Sequence, residues 1–272
     1  MQPRRARSLR ALTTSVLSSL GLLLAALAGA TPAAASEPGY AALGDSYSSG
    51  VGAGDYLNDG GDCERSTNAY PYLWQSTHHY AEFDFAACSG ATTADVRNRQ
   101  LSALNDATAL VSITVGGNDA GFTSTMRTCI LKGTSACLAA VSTAQTLISG
   151  DQFAGSLDST YAAIRTRAPH AHVVVLGYPH LFQTQGLCHS ALDDAARSAV
   201  NTATDALDGV IADHAARAGF DFVDVRTAFT GHEICSNDTW LHNLTWPLDE
   251  SFHPTAQGQA DGYLPQFTTS AP

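Results

Sequence analysis

Ser46, Gly90, Asn118 and His253 are the residues of this 272-residue chain whose types and surroundings suit acyl transfer. Ser46 follows a short apolar run, residues 40–43, that stops at Gly44. Such a run forms a buried strand, and the glycine is where the chain leaves the sheet. Ser46 then stands just beyond the strand's carboxyl end, where open α/β sheets place their ligands. On its own, Gly44-Asp45-Ser46 reads as a turn in which Asp45 and Ser46 bond nearby backbone groups. It is not a G-x-S-x-G nucleophile elbow, because Ser48 occupies the place of the second glycine.

Two further strand ends decide between turn and nucleophile. A strand over residues 83–87 breaks at Cys88-Ser89-Gly90, and a β-branched strand over 109–115 ends at Gly116-Gly117-Asn118-Asp119. In a parallel sheet all three ends lie on one edge. A tetrahedral acyl-transfer intermediate needs hydrogen-bond donors aimed at its oxyanion. The main-chain N–H groups of Ser46 and Gly90 and the side-chain amide of Asn118 supply three. Glycine lets backbone approach a substrate, and an amide donates without a proton to lose. Singly, Gly90 reads as a loop glycine and Asn118 as a helix cap; in this order the joint reading prevails.

Of ten histidines, His78 and His79 fall on a helix, His170 and His172 flank a strand, and His214 is on a long helix. His253 differs. It lies in Asp249-Glu250-Ser251-Phe252-His253-Pro254-Thr255, directly before the last predicted helix. Pro254 denies helical backbone to His253 and fixes it at a loop-to-helix junction. From there an imidazole can reach the end of the first strand as general base.

The elements that must position these residues alternate. Helices are expected over residues 68–80, from 92 past 104, over 122–131, 138–148, 153–167, 191–218 and 255–263, with further strands at 172–176 and 220–225. Alternation of this kind gives one α/β domain, a parallel five-stranded sheet covered on both faces. The order 2-1-3-4-5 places the first strand near the switch point.

Gly44-Asp45-Ser46, Gly90, Gly117-Asn118-Asp119 and His253 resemble, in order and spacing, the blocks of the SGNH (GDSL) hydrolase superfamily, above all the extracellular actinomycete lipases, esterases and phospholipases A1. The resemblance spans nearly the whole chain after residue 35. It implies a flavodoxin-like three-layer α/β/α sandwich, Ser46 as nucleophile, an oxyanion hole of Ser46, Gly90 and Asn118, and His253 as base. The family usually carries an aspartate three residues before the histidine; here that place holds Glu250. Some relatives instead use a main-chain carbonyl two residues before it, which here is that of Ser251. The carbonyl is favoured, because the longer glutamate arm need not fold back onto the ring.

The chain opens with Arg4, Arg5, Arg7 and Arg10, an apolar small-residue segment and Ala33-Ala34-Ala35, the plan of a secretory signal peptide over residues 1–35. Residues 36–272 then form a single catalytic domain, secreted and expected to be a monomer without stable membrane insertion. That part has ten basic against twenty-five acidic residues, which disfavours nucleic acid and anionic membranes as partners. Six cysteines in an exported chain read as three disulfides. Fifteen pairings are open; the sequential one, Cys63–Cys88, Cys129–Cys137 and Cys188–Cys235, is preferred because each closes a loop between neighbouring elements. Metal binding lacks a C-x-x-C pair and ligand-spaced histidines, so no metal or cofactor is expected. The function expected is hydrolysis of fatty-acyl carboxylic esters, small-molecule or lipid. The alternatives are acetyl-ester deacetylation of polysaccharides on the same fold, and a non-catalytic secreted binding protein.

Overall fold

A computed structural model of the chain describes residues 38–58, 61–184, 188 and 191–272. The predicted signal peptide, residues 1–35, lies outside the described residues.

Five parallel strands form one sheet in the order β2-β1-β3-β4-β5. They are β1 (Gly39–Gly44), β2 (Glu82–Phe85), β3 (Thr108–Thr114), β4 (His172–Leu176) and β5 (Asp221–Val223). Every residue of β1 is buried, while β2 alternates exposed and half-buried positions as an edge strand does. The helices are α1 (Ser46–Ser49), α2 (Tyr70–His78), α3 (Thr93–Asp95), α4 (Phe122–Ile148), α5 (Asp151–Arg167), α6 (Asp194–Arg217) and α7 (Leu264–Ser270). α4, α5 and α6 pack against one another in one layer, and α2 and α7 pack together in the other. Helices thus cover both sides of the sheet. On the α7 side Tyr40 stacks between Phe83 and Phe267, with ring centroids 5.1 and 6.0 Å away.

Several boundaries differ from expectation for local reasons. β2 starts and stops before the expected 83–87 span, because the N–H groups of Ala86 and Ala87 both turn onto the carbonyl of Ala42. The span of α4, by contrast, holds the two helices expected on either side of residues 132–137: they meet at Gly133, whose φ of 76° and ψ of 177° are not helical. The final helix begins at residue 256, close to the expected start, and runs beyond 263: Gly258–Tyr263 winds as a π-helix and α7 continues it to Ser270. Trp240's carbonyl lies where a Cβ on Gly258 would stand, 2.4 Å away, so only glycine admits this crossing.

The disulfides join Cys63 to Cys88, Cys129 to Cys137 and Cys188 to Cys235. The first ties the loop after α1 to the end of β2, and the second bridges the bend of α4. Among the described residues no helix is long and apolar enough to cross a membrane.

Candidate active site

Gly44 closes β1 with φ of 116°, and a Cβ there would lie 2.2 Å from the Thr114 carbonyl oxygen. A side chain at this position would separate β1 from β3, so the close approach of the two strand ends requires glycine. Asp45 is then the N-cap of α1. Its buried carboxylate accepts hydrogen bonds from the Tyr47 N–H at 3.0 Å, the Thr114 hydroxyl at 2.7 Å and the Tyr178 hydroxyl. Tyr178 in turn accepts from the Gly117 N–H at 3.1 Å. Burial raises the Asp45 pKa to about 6, against the lowering influence of the three donors. The result is a rigid seat for Ser46, whose own N–H lies in the first turn of α1, where no helical carbonyl can accept it.

His253 comes to Ser46 from the other end of the chain. Its Nε2 lies 2.8 Å from the Ser46 hydroxyl oxygen. The loop carrying it is pinned on both sides. Tyr47 donates its hydroxyl to the Phe252 carbonyl at 2.7 Å, and Phe252 holds a left-handed φ of 67° that a non-glycine residue adopts only under such restraint. His242 pairs by backbone with Phe252 and His253 at 3.0 and 2.9 Å, and its Nε2 donates to the Gly52 carbonyl at 2.8 Å. Burial pushes the His253 pKa down to about 4, opposed by the main-chain carbonyls of Asp249 and Ser251 that face the ring. Nδ1 is buried and makes no hydrogen bond, so those carbonyls face the ring without closing on it. With its proton turned toward those carbonyls, Nε2 presents a lone pair to Ser46.

Glu250 is elsewhere. Its carboxylate accepts the Tyr56 hydroxyl at 2.8 Å, away from the imidazole. The glutamate's extra methylene carries it out to the rim, where a donor was waiting. Ser251 has its hydroxyl engaged with the Thr245 backbone, at 3.0 Å from the N–H, and its carbonyl toward His253.

Gly90 has φ of 73°, and a Cβ there would meet no atom within 4 Å. Its backbone therefore borders open space beside Ser46. Asn118 donates one amide hydrogen to the Ala91 carbonyl at 3.0 Å, which orients the group and leaves the other hydrogen for the cavity. Asp119 accepts from both the N–H and hydroxyl of Thr93, at 3.0 and 2.6 Å. The turns after β2 and β3 are thereby laced together. Sequence reasoning missed Asp119 in this role, and also Tyr47, Tyr178 and His242. Only the adjacency of Tyr47 to Ser46 and of Asp119 to Asn118 hinted at them.

Two cavities meet at Ser46 and Asn118. A pocket of ≈ 680 Å³ runs between α4 and α6, lined by Met126, Val141, Ile148, Leu181, Val200 and Leu207 among others. A broader groove of ≈ 1370 Å³ lies on the other side, bordered by Gly90, Arg127, Ile130, Leu248, Asp249 and His253.

The chain matches the family model described as GDSL-like lipase/acylhydrolase over residues 42–260. Lipase 1 of Streptomyces coelicolor is 52% identical over 261 residues, covering 94% of this chain and 97% of that protein. The crystal structure of the extracellular lipase from Streptomyces rimosus superposes with a TM-score of 0.84 at 51% identity, over 86% of this chain and all of that one. That of phospholipase A1 from Streptomyces albidoflavus NA297 does so with the same TM-score and coverage at 50% identity. With a strand order of 2-1-3-4-5, a serine and a histidine in contact at its edge and a match over most of its length, this chain belongs to the GDSL-like lipase/acylhydrolase family.

Proposed function

We propose that the chain is an exported serine ester hydrolase that cleaves fatty-acyl esters, residues 36–272 being one catalytic domain and residues 1–35 a removable signal peptide. The observation that carries this is the 2.8 Å contact between Ser46 Oγ and His253 Nε2 at the junction of two apolar cavities. Ser46 Oγ attacks the ester carbon as its proton passes to His253. The carbonyl oxygen becomes an oxyanion held by the N–H groups of Ser46 and Gly90 and the free amide hydrogen of Asn118. The imidazolium then protonates the departing alkoxide as its bond to carbon breaks. A water deprotonated by His253 releases the acid from the acyl-enzyme. Every group comes from one chain, so a monomer suffices. Export is supported by three disulfides and by the relative named as an extracellular lipase.

Placement of the substrate follows from the tetrahedral centre. The leaving oxygen must meet His253, which borders the groove and not the inner pocket. The leaving alcohol therefore occupies the groove, and the acyl chain enters the pocket between α4 and α6. The pocket's aliphatic lining suits an alkyl chain and offers little to a sugar.

The catalytic pair works as a dyad, its imidazolium steadied by the carbonyls of Asp249 and Ser251. Glu250→Gln should thus leave kcat within a few-fold of wild type. A fall of three orders of magnitude would put the carboxylate in the mechanism.

Hydrolysis of nitrophenyl esters from acetyl to palmitoyl, together with phosphatidylcholine and acetylated xylan, tests the reading as a whole. Turnover should favour fatty-acyl over polysaccharide substrates, and Asn118→Ala should lower kcat by about 10²–10³ with KM little changed. Preference for acetylxylan, or an Asn118→Ala enzyme of full activity, would contradict it.

A further inference from the structure

The mouth of the groove carries an apolar rim with no function in the chemistry above. Seven large apolar side chains are exposed among the described residues: three of them, Leu131 at 67% exposure, Leu244 at 48% and Leu248 at 61%, line the groove, and a fourth, Trp246 at 84%, lies in the loop that carries the last two. They come from two distant segments, the bend of α4 and the loop after Leu241. Leu131, Leu244 and Leu248 border the groove, and Trp246 stands between the latter two in sequence. The bend that presents Leu131 is spanned by the Cys129–Cys137 disulfide, and Tyr56 bonds the Glu250 carboxylate at 2.8 Å beside the loop. Both segments are tied down, so their exposed side chains need little ordering on contact.

We propose that this rim is a docking surface for electrically neutral, zwitterionic phospholipid aggregates, holding the groove against the lipid–water boundary. The inference rests on the fatty-acyl ester reading. Exposed apolar patches of this kind mark interaction sites, and an indole favours the boundary between headgroups and acyl chains. Charge selects the kind of lipid. Arg127 and Asp249 line the same groove and match the phosphate and ammonium of a zwitterionic headgroup. The excess of acidic residues repels an anionic surface. An ester presented at the boundary then reaches Ser46 along the groove that these leucines border.

The chain offers its own probe, because Trp74 and Trp240 are only 2% and 9% exposed, leaving Trp246 as the responsive indole. The measurement uses Ser46→Ala protein, so that vesicles stay intact, titrated with phosphatidylcholine vesicles and followed by tryptophan emission and co-flotation. The emission should shift to the blue as protein floats with the vesicles. Adding Trp246→Asp should remove the shift and lower the partition coefficient at least ten-fold. In the Ser46 enzyme, Trp246→Asp should hydrolyse water-soluble nitrophenyl butyrate within two-fold of wild type and vesicle phospholipid at least ten-fold more slowly. Vesicle binding unchanged by Trp246→Asp would overturn the proposal. So would stronger binding to phosphatidylglycerol vesicles, or a concentration-dependent dimer that the substitution dissolves, since the rim would then serve charge or self-association. Failure of the hydrolase reading shows separately, as butyrate turnover surviving Ser46→Ala.

Discussion

Ser46→Ala should lower kcat on a nitrophenyl ester by about 10⁵–10⁶-fold while leaving KM within a few-fold, because the nucleophile is removed and both cavities remain. The hydroxyl contributes nothing to the packing that seats it. Asp45 bonds Tyr47, Thr114 and Tyr178, and α1 is capped by that carboxylate, so the fold around residue 46 does not depend on its side chain. Melting temperature should therefore stay close to wild type. The residue of catalysis left behind would come from substrate binding and the oxyanion donors acting on water. Steady-state kinetics with active-site-free controls checks it. Activity within ten-fold of wild type would require another nucleophile.

His253→Ala should cost nearly as much, and the double variant no more than the worse single one, because the two side chains act as a unit. The pH dependence separates this base from an ordinary imidazole. A base must be neutral to accept a proton, and His253 is held to a pKa of about 4 by burial. The acid limb of kcat/KM should accordingly fall near pH 4 instead of near 6.5. Folding stability must be followed alongside by circular dichroism. The folded His253 pKa lies below the unfolded value of about 6.5, so its contribution is present above that value and is lost as pH falls from about 6.5 to 4. Asp45 and Asp208 act in the opposite sense, since burial raises them to about 6 and about 8 and the folded state takes up their protons first. A limb at pH 6.5 in fully folded protein would mean that the imagined enclosure of His253 is wrong.

What could be read beforehand was whatever depends on periodicity and chain order. The apolar run at residues 40–43 and the β-branched stretch at 109–115 become the centre of the sheet, and alternation of strand with helix yields the order 2-1-3-4-5. Sequential cystine pairing followed from the same order. Less legible were features set by single dihedrals or long-range polar contacts. That the break within α4 falls at Gly133 was not legible, since a glycine's φ has no signature in composition. Phe252 adopts a positive φ held by the Tyr47 hydroxyl, 205 residues away, and by its backbone pairing with His242. For the group behind the His253 ring the sequence left a choice between the Glu250 carboxylate and the Ser251 carbonyl, and nothing in it foretold the Tyr56 hydroxyl that binds Glu250. Burial of Asp208, whose Oδ1 accepts from the Tyr178 N–H at 3.0 Å, is likewise invisible on an amphipathic helix.

The central claim is that one hydroxyl, made nucleophilic by one imidazole, carries the acyl group. Treating the purified chain with a fluorophosphonate and mapping the adduct by peptide mass spectrometry tests it directly. The account predicts one stoichiometric adduct on Ser46, absent from Ser46→Ala and formed at least a thousand-fold more slowly in His253→Ala. An adduct on another residue, or labelling of Ser46 at an undiminished rate without His253, would contradict it.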